Sequence, residues 1–292
     1  MLGDQYLATR WELADLTSAI RELAQNTNTS NDEISAGNVR DYLESPLRFV
    51  VCGEPSAGKT AFLEGLLNLK LGSGNQIDIY GSSVLWTGGR VEHAEYSQRR
   101  EIGEVEVVDS TGISQLGDGE MSELKGLMAE ADFVFWVLSS ENPWAAKTWD
   151  MITEMRDTLS GRNAVVLQQI DLREKKDIPI LLDHLTSLSV QRIGKALPMF
   201  CVSAMEAKKA WNADSRDKAI WKKSGYEALE TSLSETLNSC EPRLEALREV
   251  HSYGKEVLER IEQTNDGRSL ALSADKRVLQ SVEAEIDQAR EE

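Results

Sequence analysis

The chain has 292 residues, 49 acidic against 32 basic for a formal charge of −17, and 41% of it is hydrophobic, enough to build a proper core. So negative a surface repels nucleic-acid phosphates and anionic lipid headgroups, and no nucleic-acid partner is expected; the basic clusters Arg99-Arg100, Arg173-Glu174-Lys175-Lys176 and Lys222-Lys223 read as solvated turns. Cys52, Cys201 and Cys240 lack metal-ligand spacing, and no apolar run approaches the ~20 residues that cross a bilayer, so a soluble, cytoplasmic protein is expected.

In chain order, Trp11, Leu16, Ile20 and Leu23 form roughly one stripe of an amphipathic helix that needs a partner surface. A polar stretch at 26–32 reads as a linker before a short helix at 39–43. From residue 47 to about 240, strands expected at 47–52, 83–86, 90–97, 104–108, 132–138, 163–168 and 198–202 alternate with helices at 59–69, 119–129, 145–159, 177–190 and 224–238. That alternation predicts an α/β fold, a three-layer P-loop sandwich with a mostly parallel central sheet. Beyond Pro242, Leu247, Val250, Val257 and Ile261, then Leu272, Leu279, Val282 and Ile286, recur at helical spacing, with a turn at 265–267. Neither helix has a partner of its own, so a bundle built from both ends of the chain is expected. The expected division is therefore 1–46, 47–240 and 241–292, with the first and last parts forming the bundle.

Gly53-Glu54-Pro55-Ser56-Ala57-Gly58-Lys59-Thr60 has two glycines with four residues between them, then lysine and a hydroxyl residue. A strand delivers the chain to this loop. Thr60-Ala61-Phe62-Leu63 then opens a helix whose unpaired amides point at whatever the loop holds. The glycines let the backbone wrap phosphate oxygens, Lys59 supplies a point charge, and the Thr60 hydroxyl is a hard ligand for magnesium. A second acidic group stands at the end of another strand: Asp109 of Asp109-Ser110-Thr111-Gly112 can hold a magnesium-bound water, and the Gly112 amide can meet the terminal phosphate. Base choice falls to Asp171, following Gln168-Gln169-Ile170. Its carboxylate can accept both N1–H and the exocyclic amine of guanine, or it can cap the next helix. Ser203-Ala204 would let a backbone amide approach the guanine carbonyl.

These residues resemble the GTPases of the dynamin superfamily, particularly its bacterial members. The phosphate loop, with Ser-Ala before Gly-Lys and the following Phe62-Leu63-x-x-Leu66-Leu67, carries most of the resemblance, which covers about residues 47–240 in motifs. It implies GTP binding and hydrolysis with Mg2+ on Thr60, Asp109 and a first-switch hydroxyl. Ser83 is the candidate there, with Ser82 and Thr87 as rivals. It also implies a monovalent cation, K+ or Na+, seated partly by Ser56; GTPase-domain pairing across the nucleotide as a homodimer or with a related dynamin-like partner; peripheral membrane association; and a helical neck hinged near Pro242. Catalysis would rest on Lys59, Ser56, Ser83 and Gly112.

The sequence departs from the family pattern at three places. Gln168-Gln169 replaces Asn or Thr followed by Lys, so Gln169 offers no lysine stem to stack on the base. Pro55 stands where eukaryotic relatives place a water-orienting glutamine, and Ile113 follows Gly112 where Ras-like enzymes place theirs. A scaffold that binds GTP with little or no turnover is the competing expectation. An ATP-dependent enzyme is disfavoured by Asp171 and Ser203-Ala204.

Overall fold

The computed structural model describes residues 4–26, 46–67, 78–80, 85–87, 90–92, 105–211, 216–264 and 269–291. The expected short helix at 39–43, the turn at 265–267, most of the 26–32 linker, strand residues 93–97, and Ser82 and Ser83 lie outside them. In chain order the elements are α1 (Asp4–Asn26), β1 (Leu47–Cys52), α2 (Lys59–Leu67), β2 (Asp78–Tyr80), β3 (Leu85–Thr87), β4 (Arg90–Glu92), β5 (Val105–Asp109), α3 (Asp118–Glu130), β6 (Phe133–Ser139), α4 (Ala146–Glu154), α5 (Arg156–Leu159), β7 (Asn163–Gln168), α6 (Asp177–Ile193), β8 (Met199–Cys201), α7 (Ala204–Ala210), α8 (Lys218–Lys223), α9 (Tyr226–Asn238), α10 (Glu241–Thr264) and α11 (Ser269–Glu291). Residues 46–232 form one compact unit, and residues 1–45 with 233–292 form a second.

The first unit is built on a sheet in the order β4-β3-β2-β5-β1-β6-β7-β8. Five neighbours, β5-β1-β6-β7-β8, run parallel, and β2, β3 and β4 pair antiparallel at one edge. β3 and β4 lie only two residues apart in sequence, too close for a parallel crossover. The sequence reading missed β2, whose three residues are too few to show a period-two pattern. It also read one helix at 145–159 where the chain breaks at Met155 into α4 and α5.

β1, β6 and β7 read as almost unbroken apolar runs because both faces of the sheet are covered. On one face Val50, Val108, Trp136, Val165 and Leu167 pack with Leu124 and Met128 of α3, Trp149 and Ile152 of α4, and Leu185 of α6. On the other, Phe62 of α2 meets Phe135 edge-on at 5.3 Å and stacks on Tyr226 of α9 at 5.7 Å. Trp136, Trp149 and Trp221 are fully buried, so these tryptophans serve packing, as expected for core elements. Burial also pushes the Cys52 thiol up to about 12, leaving it an inert core side chain.

In the second unit α1, α10 and α11 pack on one another as a bundle drawn from both chain ends. The buried stripe of α1 is Tyr6, Leu13, Leu16 and Ile20, while Trp11 is 43% exposed. Five residues before Leu16, Trp11 stands about 140° around the helix from it, off the buried face. Gly254 of α10 allows close approach, since a Cβ there would lie 3.3 Å from Ile20 Cδ1. His251 of α10 is buried with Nε2 2.6 Å from the Leu279 carbonyl of α11, an arrangement in which the neutral ring donates from Nε2.

Burial lowers the His251 pKa from 6.5; Lys255 acts in the same direction, and the Leu279 carbonyl, Glu283 and Asp287 oppose it. The unfolded chain therefore binds the proton more readily, and this residue's contribution to stability is present above about pH 6.5 and lost as pH falls through its lowered folded value. Urea unfolding at pH 7.5 and 5.5 is expected to show a drop in stability that is smaller in His251→Gln.

Candidate nucleotide site

The loop after β1 is shaped by contacts that exclude side chains. A Cβ at Gly53 would strike the Val137 carbonyl, and one at Gly58, which adopts φ +91°, would lie 2.8 Å from Gln168 Cγ. Ser56 also takes a left-handed conformation, φ 62°, and Ala57 N–H donates to the Glu54 carbonyl at 3.2 Å. The result is a tight loop whose following amides open α2 without partners inside the helix.

Lys59 is only 8% exposed. Its Nζ donates to the Gly53 carbonyl at 3.2 Å and the Glu54 carbonyl at 2.9 Å, folding the ammonium back over the loop. Burial lowers its pKa, and the nearby Asp109 carboxylate opposes that shift. A cation kept out of water by its own loop favours an anion beside it.

The Thr60 hydroxyl donates to Asp109 Oδ2 at 2.7 Å, so two of the three expected magnesium ligands converge from α2 and the end of β5. A hydroxyl and a carboxylate side by side are the hard oxygen donors magnesium takes, and the donor set fits that ion. Thr111 Oγ1, two residues on, is buried and has no hydrogen-bond partner among the described residues. Pro55, Ser56, Lys59, Thr60, Thr111 and Gly112 help line a cavity of about 240 Å³. The Pro55 ring lies on Gly112 so closely that a Cβ there would collide with it, and Ile113 N–H donates to the Gly53 carbonyl at 3.1 Å. Of the switch candidates, Thr87 ends β3. It pairs with Asp78, which pairs with Asp109 on its other side, placing Thr87 two strand spacings, about 10 Å, from Asp109 along one register row.

Beyond the phosphate end, Gln169 adopts a left-handed φ of 67°. Its Oε1 accepts from Ser139 Oγ at 2.6 Å and its Nε2 donates to the Ser56 carbonyl at 3.3 Å, tying the ends of β6 and β7 to the phosphate loop. Asp171 lies exposed in the 3-10 turn Ile170–Leu172. It does not cap α6, which begins at Asp177 after Lys176, and no hydrogen bond or ion pair engages its carboxylate among the described residues. Ser203 Oγ caps α7 by accepting from Glu206 N–H at 3.2 Å, and Ala204 N–H donates to Gln168 Oε1 at 3.1 Å. The fold thus brings together Gly53 to Ala61, Asp109 and Gly112, and along the neighbouring strand ends Gln169, Asp171, Ser203 and Ala204. Ser139 and Tyr226 were not anticipated, and Gln168 was noted only as a departure from a motif. The signal for Ser139 and Gln168 was their place at the carboxyl ends of parallel strands, where ligands of open α/β sheets bind.

Gly58→Ala should strain both the left-handed backbone and the Gln168 contact. A loss of about 1–3 kcal/mol is expected, read as a lower urea midpoint for residues 46–232.

No family model and no curated protein matches the chain. Among solved structures, one of an oligomerised bacterial dynamin pair, presented as a mechanism for long-range sensing and tethering of membranes, is 16% identical over 97% of this chain and 50% of its own, with a TM-score of 0.62. A second structure of that dynamin pair is 16% identical, covering 91% of this chain and 57% of its own, also at 0.62. This chain spans about half the length of those proteins. Era from Aquifex aeolicus bound to GDP and an aluminium fluoride is 17% identical over 64% of this chain and 55% of its own, at 0.44. From the sandwich of residues 46–232 to the bundle made of its two ends, the chain has the fold of a bacterial dynamin-like GTPase.

Proposed function

We propose that the protein binds and hydrolyses GTP and couples nucleotide state to movement of its helical bundle. The observation that carries this reading is the pairing of a buried Lys59, folded onto the Gly53 and Glu54 carbonyls, with the Thr60–Asp109 contact beside it. On GTP binding the Lys59 ammonium leaves those carbonyls for the outer phosphate oxygens, and the loop amides take the remaining charge. Thr60 and Asp109 are the residues that would hold magnesium, which would supply positive charge to the phosphates. Water attacks the terminal phosphorus, the bond to the bridging oxygen breaks, and the water's proton passes to solvent or to the phosphate released. The Gly112 amide meets the terminal phosphate and reports its departure. Asp171, exposed and uncommitted, is the group that accepts from guanine.

Neither Pro55 nor Ile113 can orient water through a side chain. Hydrolysis therefore depends on fixed charge, with Ser83 as the first-switch hydroxyl and a monovalent cation near Ser56 as added charge when two GTPase domains meet. The solved relatives described as an oligomerised pair that senses and tethers membranes support pairing and peripheral membrane action. Among the described residues no helix is long and apolar enough to cross a membrane. The domain reading is 1–46 and 241–292 as neck and 47–240 as GTPase, hinged near Pro242 in the first turn of α10. The competing reading, a GTP-binding scaffold of weak turnover, is favoured by the Pro55 ring seated on Gly112.

Phosphate release from GTP, slow at low protein concentration and faster with potassium or with more protein, is the expected result. Lys59→Ala should lower it by about 100-fold or more with the thermal midpoint held. GTP binding without release would select the scaffold, and no binding at millimolar GTP would overturn both.

A further inference from the structure

Gln168, the last residue of β7, is 1% exposed and held on several sides. Its Oε1 accepts from Gln169 N–H at 3.0 Å and from Ala204 N–H at 3.1 Å. Its Cγ rests against Gly58 of the phosphate loop, where any side chain would meet it. The Tyr226 hydroxyl is buried and donates to the Phe62 carbonyl at 3.0 Å. The Ala204 N–H is therefore already spent inside the protein. Gln168 has little freedom to release it, because rotating this buried side chain would strip Oε1 from two donors at once.

We propose, resting on the nucleotide reading above, that Gln168 sets the base selectivity of this site by withholding the Ala204 N–H from the bound purine. Guanine presents a carbonyl acceptor at position 6, and adenine presents an amine donor there. A free amide attracts the first and repels the second; an amide already bonded to Oε1 does neither. Discrimination then rests on the Asp171 carboxylate, which accepts from N1–H and the 2-amine of guanine and rejects the bare N1 acceptor of adenine. Hypoxanthine, which keeps the carbonyl and N1–H and lacks the 2-amine, separates the two contributions.

Calorimetry of the full chain with magnesium and GDP, IDP or ADP tests this, using wild type and Gln168→Leu, which keeps the bulk of the side chain and removes the acceptor. In wild type, IDP should fall between the other two, weaker than GDP by the lost 2-amine contact and tighter than ADP by the N1–H that Asp171 still accepts. In Gln168→Leu, GDP and IDP should each bind about tenfold tighter, about 1.4 kcal/mol, with ADP no tighter and, where the freed donor faces its 6-amine, weaker. Gln168→Asn, whose carbonyl is drawn back by one methylene, should move GDP and IDP in the same direction by less, and it carries the test if the leucine variant fails to fold. GDP, IDP and ADP shifting together, as from a merely structural role, overturns the inference, as does an unchanged GDP-to-ADP ratio in a folded variant. Failure of wild type to bind any of the three overturns the nucleotide reading, and this inference with it.

Discussion

A cation buried against its own backbone governs this molecule. Lys59 sits largely out of water, held by two carbonyls of the loop it follows, with the Asp109 and Glu54 carboxylates nearby. Every neighbouring feature limits the ways that arrangement can relax. β1 ends between β5 and β6, so the loop is pinned beneath by buried strands on both sides. Gly53 fits against the Val137 carbonyl and Gly58 against Gln168, so the loop's path is fixed by strands on either side as well as by its own sequence. An arriving polyphosphate would find its counter-charge already desolvated, so less reorganisation remains at the moment of binding.

The organisation of the sheet explains how much of the site its sequence disclosed. β1, β6 and β7 were legible to within a residue because both their faces are covered and their apolar runs end abruptly at polar residues. The loop from Gly53 to Thr60 was legible because backbone wrapping of phosphate demands glycine at fixed intervals, a constraint written directly in residue types. β2 was not: three residues paired with β3 and β5 owe their strand conformation to those neighbours, and tertiary pairing leaves no local pattern. The buried face of α1 was legible at Leu16 and Ile20 but not at Trp11 or Leu13: a bulky indole reads as a core side chain, yet the helix turns Trp11 toward solvent.

Contacts between side chains distant in sequence were the least visible. That Gln169 ties Ser139 to the Ser56 carbonyl depends on three chain segments meeting at the sheet's carboxyl edge. The residue identities were available, but the left-handed turn at Gln169 that aims its amide was not. Asp171 shows the reverse case. The sequence left it divided between capping a helix and reading a base, and the start of α6 six residues later removes the first role.

The Pro55 ring resting on Gly112 has a mechanical consequence. A pyrrolidine has almost no internal rotation, and an α-carbon without a side chain offers no cushion, so the contact behaves like a key seated in a slot. The two segments cannot slide past one another by side-chain adjustment alone. Whatever displaces the chain after β5 must carry the phosphate loop along or lift clear of it in one step, which makes the coupling between them abrupt rather than graded.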